Sequence, residues 1–213
     1  MALNQVGLER LNTDTTDKIG IDRNLINNGA MQVAQRGTTS TSTGLQTVDR
    51  FKILVANTDN FAFTQKQVTD SPSGFSNSYE IDTTTAESAL AADEYVLVRQ
   101  NLEANTLQSL AFGTSSAKQI TLSFYVKAKQ TGTYAANIYS DDSTRSYTVN
   151  YTINQTATWE RKSITFSGDT VGAITNNTGI GFFVNWFLAA GTNYTTSTAH
   201  KNQWASFTNA SWA

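Results

Sequence analysis

The residues able to do chemistry in this chain are few and scattered. A single histidine, His200, stands in the polar run "TTSTAHKNQW", where it reads as a solvated loop side chain rather than a base. Carboxylates occur in three close pairs: Glu80 with Asp82, Asp93 with Glu94, and Asp141 with Asp142. A carboxylate pair can supply the acid and the base of glycoside hydrolysis. Each of these pairs, however, sits at a turn or strand end, where Asp and Glu serve as turn residues. Asp141 and Asp142, with loop carbonyls, are also the hard oxygen ligands that calcium takes; between two strands, "DDSTR" reads first as a hairpin turn. The chain has no cysteine, Gly-x-Ser-x-Gly elbow, phosphate loop or His-Glu-x-x-His helix. The expectation is a protein that is not an enzyme, with no catalytic residues, metal site or cofactor.

Aromatic residues are the richer group. Tyr134, Tyr139, Tyr147, Tyr151, Trp159, Trp186, Trp204 and Trp212 fall in or beside the strands of the second half. Exposed flat rings on a sheet face pack against the apolar faces of sugars. Tyr134, Tyr139, Trp186 and Trp204 are the saccharide-binding candidates, with core packing as the competing role. Tyr147 and Tyr151 share a parity with Val149, which puts them on the core face.

The elements that must position these residues are strands. Aromatics make up 11% of the residues and about one residue in seven is threonine, a mixture that fits half-buried pleated surfaces. Thirteen glycines and one proline leave the turns to Gly, Asn, Asp and Ser. "AMQVAQR" alternates from Ala30 and is the first predicted strand, launched by a turn at Asn27, Asn28 and Gly29 and ended by Gln35 and Arg36. "VDRFKILVA" places Phe51, Ile53 and Val55 on one face; Asp49 and Arg50 are read as structural, with Arg50 pairing to a carboxylate at the sandwich end. "FAFTQKQV", "SYEIDT" and "YVLVRQN" follow. Leu102, Leu107 and Leu110 then switch to helical spacing, and Gly113 closes the one short helix. In "ITLSFYVKA", Ile120, Leu122, Phe124 and Val126 face inward. "TYAANIYS", "RSYTVNYTI", "WERKSITF" and "GIGFFVNWFLA" complete the series. The last is apolar on both faces, so it is central or covered on its second side. Strands roughly ten residues apart, without βαβ alternation, indicate an all-β antiparallel β-sandwich of jelly-roll type.

Residues 1–23 differ. Val6, Leu8, Leu11 and Ile19 are apolar residues among polar ones, too few to close a core, so the segment reads as an extended N-terminal arm ahead of a domain at residues 24–213. These four are the candidate attachment residues. A net charge of −2 and a pI near 5.3 give no basic footprint for nucleic acid. No stretch approaches the roughly 18 apolar residues of a membrane span, and no secretory signal pattern opens the chain. Without that signal, the Asn-x-Ser/Thr triplets at Asn150, Asn154, Asn176, Asn193 and Asn209 read as products of composition.

"NLINNGAMQVAQRG" with "TVDRF", then "ITLSFYVKAKQTGTY", "WERKSITFSGDT" and "FFVNWFLAAGTNYTT", together resemble the carbohydrate-binding-module-like jelly rolls of tailed-bacteriophage virion appendage proteins. The resemblance spans about residues 24–208. It implies a virion protein of the tail-fibre type, held to the particle by its arm and working as a homo-oligomer such as a trimer. Its partners would be other virion proteins and host surface polysaccharide. A head fibre or capsid decoration protein, a free carbohydrate-binding module and a glycan-cleaving enzyme are the alternatives. Proteins of this pattern continue past the equivalent of "WASFTNA" into a closing strand, whereas this sequence stops at Ala213; the expectation is that the strand lies beyond the sequence or comes from a neighbouring chain.

Overall fold

A computed structural model describes residues 24–58 and 60–213. The attachment candidates Val6, Leu8, Leu11 and Ile19 lie outside the described residues. Eleven strands follow in chain order: β1 Thr39–Ser40, β2 Phe51–Ala56, β3 Ala62–Val68, β4 Ser78–Thr85, β5 Tyr95–Glu103, β6 Ile120–Val126, β7 Gly132–Ser140, β8 Arg145–Ile153, β9 Glu160–Phe166, β10 Ile180–Ala190 and β11 Ala205–Ser206. All named strand pairs are antiparallel. Six strands form one sheet in the order β11-β8-β7-β10-β5-β2, in which most neighbours are not consecutive in the chain. Its inner face is covered in two places, by the β6-β9 pair and by the three-stranded sheet β1-β3-β4.

The main core lies between the large sheet and β6-β9, where Phe182, Val184, Ile138, Tyr147 and Tyr151 meet Leu122, Ile164 and Phe166. A second core under the smaller sheet joins Ile53 and Val96 to Phe63. The inward parity read for β6 is the one found, and Tyr147 and Tyr151 are buried as their spacing with Val149 suggested. Strand β10 is both central and covered. Phe182 and Val184 enter the main core, while Phe187 packs on the opposite side with Leu97, Tyr194, Trp212 and Ala213. The chain after β10 therefore crosses to the outer face of the large sheet and roofs it.

Two local expectations are corrected. Residues 30–36 are not a strand. The Asn28 side chain takes over the backbone pairing a ladder would have used: its Oδ1 accepts the Val33 N–H at 3.0 Å, and its Nδ2 donates to the carbonyls of Val33 at 2.9 Å and Asp49 at 3.0 Å. Met31 adopts φ 56°, which interrupts extension outright. The predicted helix is a 3₁₀ helix, Ala104–Leu110, closed by Ala111 at φ 53° rather than by Gly113, and Leu102 belongs to β5. It can lie against β10 because Gly181 has no side chain: a Cβ there would stand 2.7 Å from Leu107 and 2.8 Å from the Ala104 backbone.

The Ser/Thr tract after Gly37 is pinned rather than loose. Gln65, fully buried on β3, donates to the carbonyls of Ser42 at 2.5 Å and Gly44 at 3.4 Å, and accepts from Thr47 and Tyr79. Gln100 on β5 exchanges hydrogen bonds with the Asn27 backbone, both 2.9 Å, while Leu25 and Ile26 pack on the main core. Arg50 pairs with Glu103 at 3.7 Å and Arg36 with Asp49 at 3.2 Å. These are structural roles of the kind the sequence suggested for Asp49 and Arg50.

Candidate functional site

The carboxylate pairs are committed to local structure. Glu80 and Asp82 both hold Lys66, at 3.3 and 2.8 Å, and the Lys66 hydrogen bond keeps the Asp82 carboxyl below its usual range. Glu94 is buried and accepts the Ala91 N–H at 2.7 Å; Asp93 accepts from Asn57 at 3.1 Å. Asp142 accepts the Thr175 N–H at 2.9 Å, and Asp141 opens the β7-β8 turn. Among the described residues no group of three or more His, Cys, Asp or Glu could hold a metal ion.

His200 is not a solvated loop residue. It is fully buried, with Nδ1 2.9 Å from the Ser146 hydroxyl and 2.7 Å from the Ser211 hydroxyl. Nε2 lies 2.6 Å from the Ser206 carbonyl oxygen and 3.2 Å from the Thr208 backbone nitrogen. The ring ties the returning C-terminal chain to β8. Its polar neighbours in sequence concealed this, because the residues that enclose it come from other elements.

The four candidate rings are not brought to one surface. Trp186 packs between Phe51 and Phe124 in the main core. Trp204 joins Phe112, Phe182 and Tyr147, its indole N–H donating to the Ser167 carbonyl at 2.7 Å. Tyr134 stacks on Tyr151 and donates to the Gln130 carbonyl at 2.9 Å. Tyr139 lies on the opposite, outer face of the large sheet, stacked on Phe183.

A different aromatic group faces solvent. On the outward side of β6-β9, Tyr125 and Phe75 meet edge to face with centroids 5.7 Å apart, and they remain 40% and 41% exposed. Phe75 is delivered by the β3-β4 loop, whose shape is held by the Ser71 hydroxyl donating to the Phe75 carbonyl at 2.7 Å. From the same loop Asp70 accepts the Trp159 indole N–H at 3.2 Å and pairs with Lys127, whose ammonium lies 5.4 Å from the Trp159 ring centre. The Lys127 bond, then the Trp159 bond, lowers the Asp70 carboxyl from its ordinary value and keeps it ionised. Along the same face, away from the rings, Ser123 and Ser163 and then Thr121 and Thr165 form hydroxyl pairs, each 3.1 Å apart. Three rings, a fixed ion pair and a row of hydroxyls thus share one open surface. Sequence reading missed Phe75 and Tyr125 as a site; the outward parity of Tyr125 on β6 was the available signal.

A cleft of about 480 Å³ opens elsewhere, between the 3₁₀ helix and β6, with Leu25, Ile26, Leu110, Ile120, Phe182 and Val184 among its lining residues. None of the aromatic candidates lines it.

No protein-family model matches the chain, and no curated protein matches it. Among solved structures, it is similar to the enzymatically active domain of bacteriophage CBA120 tailspike protein 4, at 14% identity and a TM-score of 0.45. The match covers 79% of this chain and 20% of that one, so the chain spans about a fifth of the length of that tailspike domain structure. A likeness at that level carries nothing about what this chain does.

Proposed function

We propose that this protein is a non-catalytic component of a tailed-bacteriophage virion, an appendage protein of the tail-fibre type. Its sandwich meets host surface polysaccharide through Phe75, Tyr125 and Trp159. Residues 1–23 attach it to a neighbouring virion protein, and copies of the chain associate with one another. The single observation that carries the glycan contact is the strip on β6-β9: Phe75 and Tyr125 left exposed and Trp159 left half-buried, beside an ion pair and hydroxyls able to exchange hydrogen bonds with a sugar. The resemblance in sequence to appendage jelly rolls supports the virion setting. The commitment of each carboxylate pair to Lys66, to backbone N–H groups or to a turn supports a role without catalysis.

The test is binding of the full chain to host surface polysaccharide, compared with Tyr125→Ala and Trp159→Ala. Stacked rings lost from such a surface weaken binding by about tenfold each on a contribution of roughly 1 to 1.5 kcal/mol. Equal binding by both variants, with the fold intact by circular dichroism, would remove the strip from the account.

A further inference from the structure

The outer face of the large sheet carries a polar row that runs across the strands. Lys52, Arg99, Asn185, Asn137 and Thr148 occupy successive register positions on β2, β5, β10, β7 and β8. From Thr148 to Arg99 the row is continuously bonded. Asn137 Nδ2 donates to the Thr148 hydroxyl at 2.9 Å, Asn185 Nδ2 donates to Asn137 Oδ1 at 2.9 Å, and Arg99 Nε donates to Asn185 Oδ1 at 2.6 Å. Asn185, Asn137 and Thr148 are fully buried. The bonded row ends in the Arg99 guanidinium, on which Asp141 acts by its charge without forming an ion pair.

Among the described residues no carboxylate lies within ion-pair distance of Arg99, and its register partner on β2 is a second cation, Lys52. Among the described residues the terminal nitrogens of Arg99 make no hydrogen bond, and the side chain is half-buried. The group is nevertheless held in place. Its central carbon lies 4.4 Å from the Phe183 ring centre and 5.7 Å from that of Trp212, and Asn185 fixes its Nε. Burial lowers the proton affinity of both cations, and Arg99 lowers that of Lys52 further.

Two unpartnered polar atoms lie on the same face of the sheet. Among the described residues, the buried side-chain polar atoms without a partner are Asn101 Oδ1 and Trp212 Nε1. Asn101 is the next residue of β5 on the face of Arg99 and stands opposite Phe183 in the register, while Trp212 flanks Arg99 directly. A buried polar group without a partner is uncommon and costs free energy.

We infer that Arg99 and Lys52 form a binding site for the carboxylate of an acidic saccharide, of the uronic acid kind. The planar fork of Arg matches a carboxylate two-point, and Lys52 adds a point charge. The inference rests on the proposed glycan contact for the class of ligand, but it uses a different face of the sandwich.

The probe is oligogalacturonate with hyaluronan fragments, titrated at low salt into the full chain and into Arg99→Gln and Lys52→Gln. Loss of one charge-assisted contact weakens binding by about tenfold or more, so that loss in both variants, with no binding of methyl-esterified oligogalacturonate, is the expected result. Lys52→Gln sits on an edge strand and keeps the measurement meaningful if Arg99→Gln misfolds. The inference is overturned if neither acidic probe binds at millimolar concentration, if the variants bind as the unaltered chain does, if the methyl ester binds equally, or if polyglutamate displaces the saccharide at equal charge. Acid binding that survives Tyr125→Ala and Trp159→Ala keeps this site even if the strip reading fails; neutral-glycan binding lost in those variants, without any acid binding, keeps the strip and removes this site.

Discussion

Asn185 and Asn137 face each other across β10 and β7, the Asn185 amide donating to Asn137 Oδ1 at 2.9 Å, and both are fully buried. Each also serves a second partner, Arg99 on one side and Thr148 on the other. Replacing Asn185 with Ala strips bonds from two groups at once and leaves Asn137 Oδ1 buried without a donor. The expected loss is about 2 to 4 kcal/mol in denaturant melts, from roughly 1 to 3 kcal/mol per stranded group. In a double-mutant cycle with Asn137→Ala the losses should fall short of additivity, because the same bond is removed in each single variant.

Arg145 grips Asp169 at two points, Nε to Oδ2 at 2.6 Å and NH2 to Oδ1 at 3.2 Å, and also donates to the Trp204 carbonyl at 3.2 Å. Asp169 is 2% exposed, so losing its partner leaves a charge with little water to receive it. Arg145→Ala should therefore cost about 3 to 5 kcal/mol. A change under about 1 kcal/mol in the same melts, the figure for an exposed pair, would show that solvent reaches this one.

His200 predicts a regional effect. With His200→Ala the Ser146 and Ser211 hydroxyls and the Ser206 carbonyl lose a shared partner, and the roof formed by the chain after β10 loosens. Limited proteolysis should then cut between residues 195 and 213 before the sheet itself unfolds. Protection of that segment equal to the unaltered chain would mean that Trp212, Phe207 and Tyr194 hold the roof without the histidine.

Acid sensitivity has a sign set by Glu160. Lys162 first, then the Gln155 and Asn154 N–H groups and the Asn154 side chain, lower its carboxyl from an ordinary 4.5 to about 2. The unfolded chain then binds a proton at a higher pH than the folded one does. Stability from this group is fully present above about pH 4.5 and is lost as the pH falls toward 2. Thermal melts across that window should show a shallower decline for Glu160→Gln than for the unaltered chain.

Phe124 tests the core parity on β6. It is half-buried against Tyr151 and Trp186, with centroids 5.1 and 6.0 Å away. Phe124→Ala should cost about 3 kcal/mol, the low end for a buried ring.

Much of the fold was readable because strands announce themselves locally. The β6 parity, the β8 span Arg145–Ile153 and the doubly apolar β10 follow from alternation within single stretches. The failures all depend on partners distant in the chain or on one side chain overriding a pattern. Asn28 turned an alternating segment into a pinned loop, and His200 is enclosed by Ser146 from β8 and Ser211 from the tail. The row from Arg99 to Thr148 joins residues 86, 48 and 11 positions apart. The open strip needs a loop to bring Phe75 to Tyr125 and Asp70 to Trp159, pairings that no local period encodes. Rings on strands were visible in sequence; which of them folding leaves in the open was not.

Attachment to a virion is the central claim, and particle binding tests it most directly. The full chain and a version lacking residues 1–23 would be compared by light scattering and by binding to phage particles stripped of the protein. Particle binding by the full chain, lost with residues 1–23 while the strand spectrum is unchanged, is the predicted result. Two versions that behave as identical monomers and ignore the particles would contradict the account.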